Sequence, residues 1–238
     1  MNCAILLAAG SGTRMGDSVE DKILFPIKGE PVICYSIKAF TETKKFDHYI
    51  IVYRDEIQKE NISNILPADF ILEYKPKFIK GGDSRQASVF NALQELDSFE
   101  PSIRYVAIHD VARPLIGAEL ISKLLTTAEN YKNAIPATLI TDTVKQINEV
   151  PENDSSVIKN LDRSKLRSIQ TPQIFDFNLI KECYQMVFDA DQLITDDSSA
   201  LTFSDIGIKL LINDQPNPKL TTKNDLDYIL YLLNQNPL

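Results

Sequence analysis

Cys3-Ala4-Ile5-Leu6-Leu7-Ala8-Ala9-Gly10-Ser11-Gly12-Thr13-Arg14-Met15-Gly16 carries the decisive transition of this chain. An unbroken apolar run passes straight into small residues, two glycines and a cation. A short apolar run bounded by glycines reads as a strand buried on both faces. The small residues after it let the backbone approach a ligand, and successive N–H groups in such a turn form an anion-binding concavity. Lys22 adds a second cation just beyond the loop. The third glycine stands one place too late for GxGxxG, and no Gly-Lys-Ser/Thr follows, so neither common phosphate-loop fingerprint is met.

Outward from this loop, apolar runs alternate with segments of helical period. Strands are expected at Cys3–Ala8, Tyr49–Tyr53, Tyr105–His109 and Lys209–Ile212, with a weaker one at Phe70–Tyr74. Helices are expected at Val32–Phe40, Asp55–Ile65, Ser84–Leu96, Glu119–Tyr131, around Asn178–Phe188 and from about Lys223, where Thr222-Lys-Asn-Asp225 forms a capping box. The alternation predicts an α/β fold: a Rossmann-like, mostly parallel twisted sheet with helices on both faces.

The pattern breaks at Thr141–Gln170, where only 8 of 30 residues are hydrophobic and Pro151-Glu-Asn-Asp-Ser-Ser makes a turn-rich centre. Such a stretch cannot fill a core. It is an irregular loop or a β-arm that leaves the domain to pack on a partner. A structureless loop of ~30 residues inside a compact domain is uncommon, which favours the protruding arm. The reading is one domain over residues 1–238 with an arm at about 141–170.

Composition narrows the function. The 238 residues carry 25 Lys plus Arg against 33 Asp plus Glu, a net charge of −8. This argues against a nucleic-acid binder and against docking on an anionic membrane. Small anionic substrates stay open, because cations can cluster locally. The apolar run Cys3–Ala9 is far shorter than the ~20 residues a membrane helix needs, and Met-Asn-Cys-Ala does not read as a signal peptide. Three scattered cysteines fit a reduced, cytoplasmic setting. Two histidines and no Cys/His cluster leave no basis for a zinc site.

Further loops could carry chemistry. Gly81-Gly82-Asp83-Ser84-Arg85-Gln86-Ala87-Ser88-Val89 places glycines before a helix whose N-cap is Asp83 or Ser84. Arg85 in its first turn opposes the helix dipole, so an anion bound nearby is expected to compensate it. In His109-Asp110-Val111-Ala112-Arg113-Pro114 a carboxylate follows a strand, suited to a divalent cation or a sugar hydroxyl. The plainer alternative is that Asp110 caps a turn and pairs with Arg113. His109 reads as structural. Thr141-Asp142-Thr143, Asp162-Arg163, Gln170-Thr171-Pro172-Gln173, Thr195-Asp196-Asp197-Ser198 and Asn217-Pro218-Lys219-Leu220-Thr221 are singly only loops or caps.

In this order, the motifs resemble the cytidylyltransferases of the isoprenoid pathway, the 2-C-methyl-D-erythritol 4-phosphate cytidylyltransferase family. The resemblance spans nearly the whole chain. It implies transfer of CMP from CTP to a polyol phosphate with Mg²⁺ and release of pyrophosphate. It implies catalytic roles for Arg14 and Lys22, and nucleotide binding by Ala8, Ala9, Gly10, Gly12, Gly82, Asp83, Arg85 and Ser88. Asp110, Arg113, Thr143, Arg163, Thr171, Thr195 and Lys219 would bind the polyol phosphate, with Asp110 also helping to place the metal. The segment 141–170 resembles a dimerisation arm, so a homodimer is implied. Asp21 beside Lys22 and Pro218 before Lys219 depart from the pattern. The nearest rival is a ribitol-5-phosphate cytidylyltransferase; a non-catalytic nucleotide-binding module is a second.

Overall fold

A computed structural model describes residues 1–10, 21–99, 101–147 and 157–235. Gly12, Arg14 and residues 148–156, with the turn-rich centre expected there, therefore lie outside the described residues. Along the chain run β1 (Asn2–Leu7), β2 (Pro26–Ile27), β3 (Glu30–Pro31), α1 (Val32–Glu42), β4 (His48–Tyr53), α2 (Glu56–Ile65), α3 (Ala68–Tyr74), β5 (Lys77–Lys80) and α4 (Arg85–Glu95). Then follow β6 (Tyr105–Asp110), α5 (Ala118–Tyr131), β7 (Asn133–Leu139), β8 (Lys145–Ile147), β9 (Val157–Asn160), β10 (Arg167–Ile169), β11 (Gln173–Asp176), α6 (Phe177–Asp189), α7 (Ser198–Phe203), β12 (Leu210–Ile212) and α8 (Lys223–Gln235).

Among the described residues the main sheet has eight strands in the order β10-β7-β11-β6-β1-β4-β5, with β12 paired to β7. β1, β4, β5 and β6 are mutually parallel, and β12 is parallel to β7. β11 runs antiparallel to both β6 and β7, and β10 antiparallel to β7. β1 lies at the centre and alternates its side chains between two cores. Ala4 and Leu6 pack with α1, α2, α3 and α5 on one face; Cys3 and Ile5 pack with α4, α6 and α7 on the other. Each fully buried Ile or Leu of these layers contributes about 1.5–3 kcal/mol. α8 packs beside α1 through Ile229 and Leu233, with Leu220 of the preceding loop. Its capping box forms: the Thr222 N–H donates to Asp225 Oδ2 at 2.7 Å.

One expected strand is a helix. Phe70–Tyr74 lies within α3, which starts after Pro67 and ends at the left-handed Lys75, φ 44°. A five-residue apolar run carries no decisive period; here Phe70 and Tyr74, four apart, both meet the Tyr49 ring, at 5.0 and 4.8 Å. The strand of this unit is β5, an edge strand with exposed lysines at both ends.

Strands β7 and β11 were not expected. β7 contains Pro136, which ordinarily argues against an inner strand. Pro136 sits where one antiparallel neighbour gives way to the next: β11 pairs at Ala134, β10 at Ala137, and the Gln170 N–H donates to the Pro136 carbonyl at 2.8 Å. No ladder bond is lost there.

The polar segment leaves the main sheet as a two-stranded antiparallel ribbon, β8 with β9. Residues 145–147 are exposed throughout.

Candidate active site

A cleft of about 500 Å³ opens at the carboxyl ends of four parallel strands. Its walls are Leu7–Gly10 after β1, Arg54 after β4, Gly82–Arg85 after β5, and Asp110 and Ala112 at the end of β6, with Lys22, Ser88 and Lys219. Open parallel sheets place ligand sites at these ends because every crossover turn meets there.

The first loop is anchored before it becomes irregular. The Ala8 N–H donates to the Val52 carbonyl at 2.9 Å, and the Ala8 carbonyl accepts from Gln58 Nε2 at 3.0 Å. Gln58 also donates to Asp21 Oδ2 at 2.6 Å, and Arg54 stands 3.4 Å from that oxygen. Asp21 therefore ties the returning chain to the end of β1, and its other oxygen accepts from the Ile23 N–H. Lys22 is buried at the cleft wall, its Cε passing 3.9 Å from where a Cβ on Gly10 would stand.

Both glycines of the second loop are required by space. A Cβ on Gly81 would meet Ser88 Oγ at 2.8 Å, and one on Gly82 would meet Ala87 Cβ at 2.5 Å. The Gly81 N–H donates to the Tyr53 carbonyl at 2.7 Å and the Gly82 N–H to Ser88 Oγ at 3.1 Å. Ser84, not Asp83, caps α4 by accepting from the Ala87 N–H at 3.0 Å. This leaves Asp83 facing the cleft.

The anion expected beside Arg85 belongs to the chain itself. Arg85 donates through Nη1 and Nη2 to Asp197 at 2.9 and 2.7 Å, and through Nε to Asp110 Oδ1 at 3.1 Å. Lys219 Nζ donates to the other Asp110 oxygen at 2.5 Å. Burial works to raise the Asp110 carboxyl, but the charges of Arg85 and Lys219 outweigh it and hold the group well below the usual carboxylate range. Asp110 is thus an anion wedged between two cations, and its side chain does not pair with Arg113. Arg113 donates from Nη1 to the Asn217 carbonyl at 2.6 Å and lines an adjoining recess with Ser168 and Gln170. Asn217 Nδ2 donates to the Thr171 carbonyl and the Leu220 N–H to the Ala112 carbonyl, so Lys219 is held from both sides of Pro218.

Under Asp110 lies His109, fully buried. Burial lowers its imidazole to about 3. The Asp110 N–H donates to the Thr171 hydroxyl at 3.1 Å, which leaves that hydroxyl to donate to His109 Nδ1 at 3.2 Å. The neutral ring carries its proton on Nε2, facing Ser36 Oγ at 3.2 Å. His109 is structural, and Thr171 supports the Asp110 backbone.

Ala8, Ala9, Gly10, Lys22, Gly82, Asp83, Arg85, Ser88, Asp110 and Lys219 all line the one cleft. Thr143, Arg163 and Thr195 do not. Thr143 is exposed at the base of the arm, Arg163 binds the Thr141 carbonyl there, and Thr195 is exposed ahead of α7. Arg54 also lines the cleft without belonging to any expected motif; Thr221, which ends the Asn217–Thr221 loop but has no expected role, lines it as well. Asp197 was visible only as part of a polar loop, and Tyr184, whose hydroxyl donates to it at 2.6 Å, carried no signal in its surroundings.

A cleft at the carboxyl ends of parallel strands, with a backbone-lined loop, facing cations and cleft carboxylates, is the arrangement of an α/β nucleotidyltransferase, and the match to a family model places the chain in that class. The model of the 2-C-methyl-D-erythritol 4-phosphate cytidylyltransferase (IspD) family matches residues 2–235. Relatives of that name from Dictyoglomus thermophilum and Caldanaerobacter subterraneus are each 36% identical. They cover 98% and 94% of this chain and 97% and 94% of their own lengths. The crystal structure of 4-diphosphocytidyl-2C-methyl-D-erythritol synthase from Anaerococcus prevotii superposes with a TM-score of 0.80 at 28% identity over 98% of both chains. The Francisella tularensis cytidylyltransferase gives 0.78 at 25% identity over 97% of this chain and 98% of its own. The chain belongs to the 2-C-methyl-D-erythritol 4-phosphate cytidylyltransferase family.

Proposed function

We propose that this protein joins CTP and 2-C-methyl-D-erythritol 4-phosphate. An oxygen of the polyol phosphate attacks the α-phosphorus of CTP, the bond to the β-phosphate breaks, and CDP-methylerythritol and pyrophosphate result. The observation that carries this reading is the convergence of the β1 loop, the Gly81-Gly82 loop and the Asp110–Lys219 pair on one cleft. The nucleophile arrives ionised, so no general base is needed, in keeping with a His109 that is buried, neutral and occupied on both nitrogens. The task left to the protein is to bring two anions together and neutralise charge. Lys22 stands at the cleft wall for the triphosphate, with Arg14 assigned to the same role by the family. Ala8–Gly10 offer backbone to the phosphates, and Gly82, Asp83 and Ser88 face the base. Lys219, Arg113 and Asp110 take the polyol phosphate.

Mg²⁺ is expected with the nucleotide. The donor set fits a cation held chiefly by substrate: Asp110 and Asp83 are cleft carboxylates, and no group of three or more metal-type ligands exists among the described residues. Mg²⁺ commonly binds through one or two carboxylates plus phosphate oxygens. Asp110 would help place it by exchanging its contact with Arg85 or Lys219 for the metal, and the cation would offset triphosphate charge.

We read the chain as one nucleotidyltransferase domain whose arm, at about 141–170, binds a second copy. The exposure of Thr143 and Arg163, away from the cleft of their own chain, supports their delivery to the partner's cleft. Free, buried thiols at Cys3, Cys34 and Cys183 support a cytoplasmic setting, and among the described residues no helix is long and apolar enough to cross a membrane.

The test is pyrophosphate release from CTP and Mg²⁺ with each polyol. Faster turnover of ribitol 5-phosphate overturns the polyol assignment; no release with either overturns the catalytic reading.

A further inference from the structure

We infer that Tyr184, buried behind the cleft in the core that α4, α6 and α7 cover, is a positioning residue. Its hydroxyl fixes the Asp197 carboxylate, which aims Arg85 and through it sets Asp110 for the polyol phosphate. The inference rests on the proposed activity of this cleft.

Tyr184 lies on α6, fully buried among Phe175, Ile180 and Val187 in the core beneath α4, α6 and α7. Its hydroxyl donates to Asp197 Oδ1 at 2.6 Å. That carboxylate is fully buried, and among the described residues its side-chain donors are Tyr184 and Arg85. A forked guanidinium–carboxylate pair holds its two groups coplanar, but the pair can still rock as a unit about the Asp197 side-chain torsion. A third donor at an angle to the fork removes that freedom.

The Asp197 backbone is secured separately. Gln173 Oε1 accepts from the Ser198 N–H at 2.8 Å, and Gln173 Nε2 donates to Asp196 Oδ2 at 2.8 Å. What remains for Tyr184 is the side chain. From there the connection is short: Arg85 Nε reaches Asp110 Oδ1 at 3.1 Å, and Asp110 Oδ2 takes Lys219 at 2.5 Å. Asp110 is shared, one oxygen on each cation; released by Arg85, it would turn both oxygens on Lys219 and hold that cation more tightly against an incoming phosphate.

The backbone of the Gly81-Gly82 loop is held by other contacts, and the Arg85 guanidinium is turned to Asp197 and Asp110. Gly81 is fixed to Tyr53, Gly82 to Ser88, and α4 is capped by Ser84. The two substrates should therefore respond differently.

The experiment compares wild type, Tyr184→Phe, Asp197→Asn and the double variant in pyrophosphate release from CTP and methylerythritol phosphate. Each is assayed at a temperature where circular dichroism shows it folded. Tyr184→Phe should raise KM for the polyol phosphate and lower kcat, with kcat/KM down about tenfold, while KM for CTP stays within twofold. Asp197→Asn should give the same pattern more strongly, and the double variant should be no worse than Asp197→Asn alone, because both substitutions act through one carboxylate. Additive effects, or a loss of kcat with both KM values unchanged, overturn the inference and leave Tyr184 a core residue. An active wild type with an indistinguishable Tyr184→Phe overturns it as well. An inactive wild type overturns the reading of the activity, and this inference with it.

Discussion

Replacing His109 by glutamine should flatten the acid sensitivity of the whole fold. The imidazole titrates at about 3 in the folded chain because it is fully buried, against about 6.5 when unfolded. The folded state therefore binds fewer protons than the unfolded one below neutrality. Stability on this account is complete above the unfolded value and declines as pH falls from about 6.5 toward 3. Because the folded value lies well below pH 5, the loss at pH 5 is governed by the unfolded value and comes to ~2 kcal/mol, on the way to about 5 kcal/mol at the acid limit. In a chain of this size ~2 kcal/mol corresponds to roughly 4–8 °C in Tm. Glutamine removes the titration and keeps a side-chain amide that can face Ser36. Urea unfolding of both proteins at pH 7.5 and 5.0 measures the difference. Wild type should lose ~2 kcal/mol more than the variant over that interval, although the variant starts lower. Equal losses, or an imidazole that NMR shows protonating near pH 6, would refute the account of His109 as a buried neutral strut.

Lys22→Ala should lower kcat by on the order of 10²-fold while KM for the polyol phosphate changes only a few-fold, since removing a charge-stabilising group acts on the transition state; steady-state kinetics with an unchanged kcat would take Lys22 out of the chemistry. Gly82→Ala drives a methyl group to 2.5 Å from Ala87 Cβ, an overlap costing ~1–3 kcal/mol, and should raise KM for CTP with little change in KM for the polyol. A variant with the wild-type KM for CTP and wild-type Tm counts against that loop as the nucleotide wall. Deleting residues 149–156 should leave the fold intact and weaken self-association in light scattering; a wild-type protein that is already monomeric defeats the dimerisation arm.

Much of the central sheet was legible because β1, β4 and β6 are continuous apolar runs, the mark of strands covered on both faces. Legibility failed where burial was partial or geometry unusual. β5 offers only Phe78 and Ile79 between lysines, β11 only Ile174 and Phe175, and β7 hides behind Pro136. In the site, local motifs located the loops but not their mutual contacts. The cation in the first turn of α4 signalled an uncompensated charge, but its anion is not a bound ligand; it is Asp197, 112 residues away, brought in by the packing of α6 against α4 and α7, which has no local trace. The alternative of an Asp110–Arg113 pair failed for the same reason, since Lys219 arrives from a loop 109 residues distant.

The buried Arg85–Asp197 pair also limits how this sequence can drift. Asp197 has no solvent to turn to, so losing Arg85 strands a carboxylate in the core. Breaking such a pair from one side typically costs ~3–5 kcal/mol, whereas exchanging both partners for well-packed apolar residues can be neutral. Single-step substitution at either position thus crosses a deep valley, and a descendant lacking one of these residues should have changed the other in the same interval, or acquired a compensating cation within reach of Tyr184.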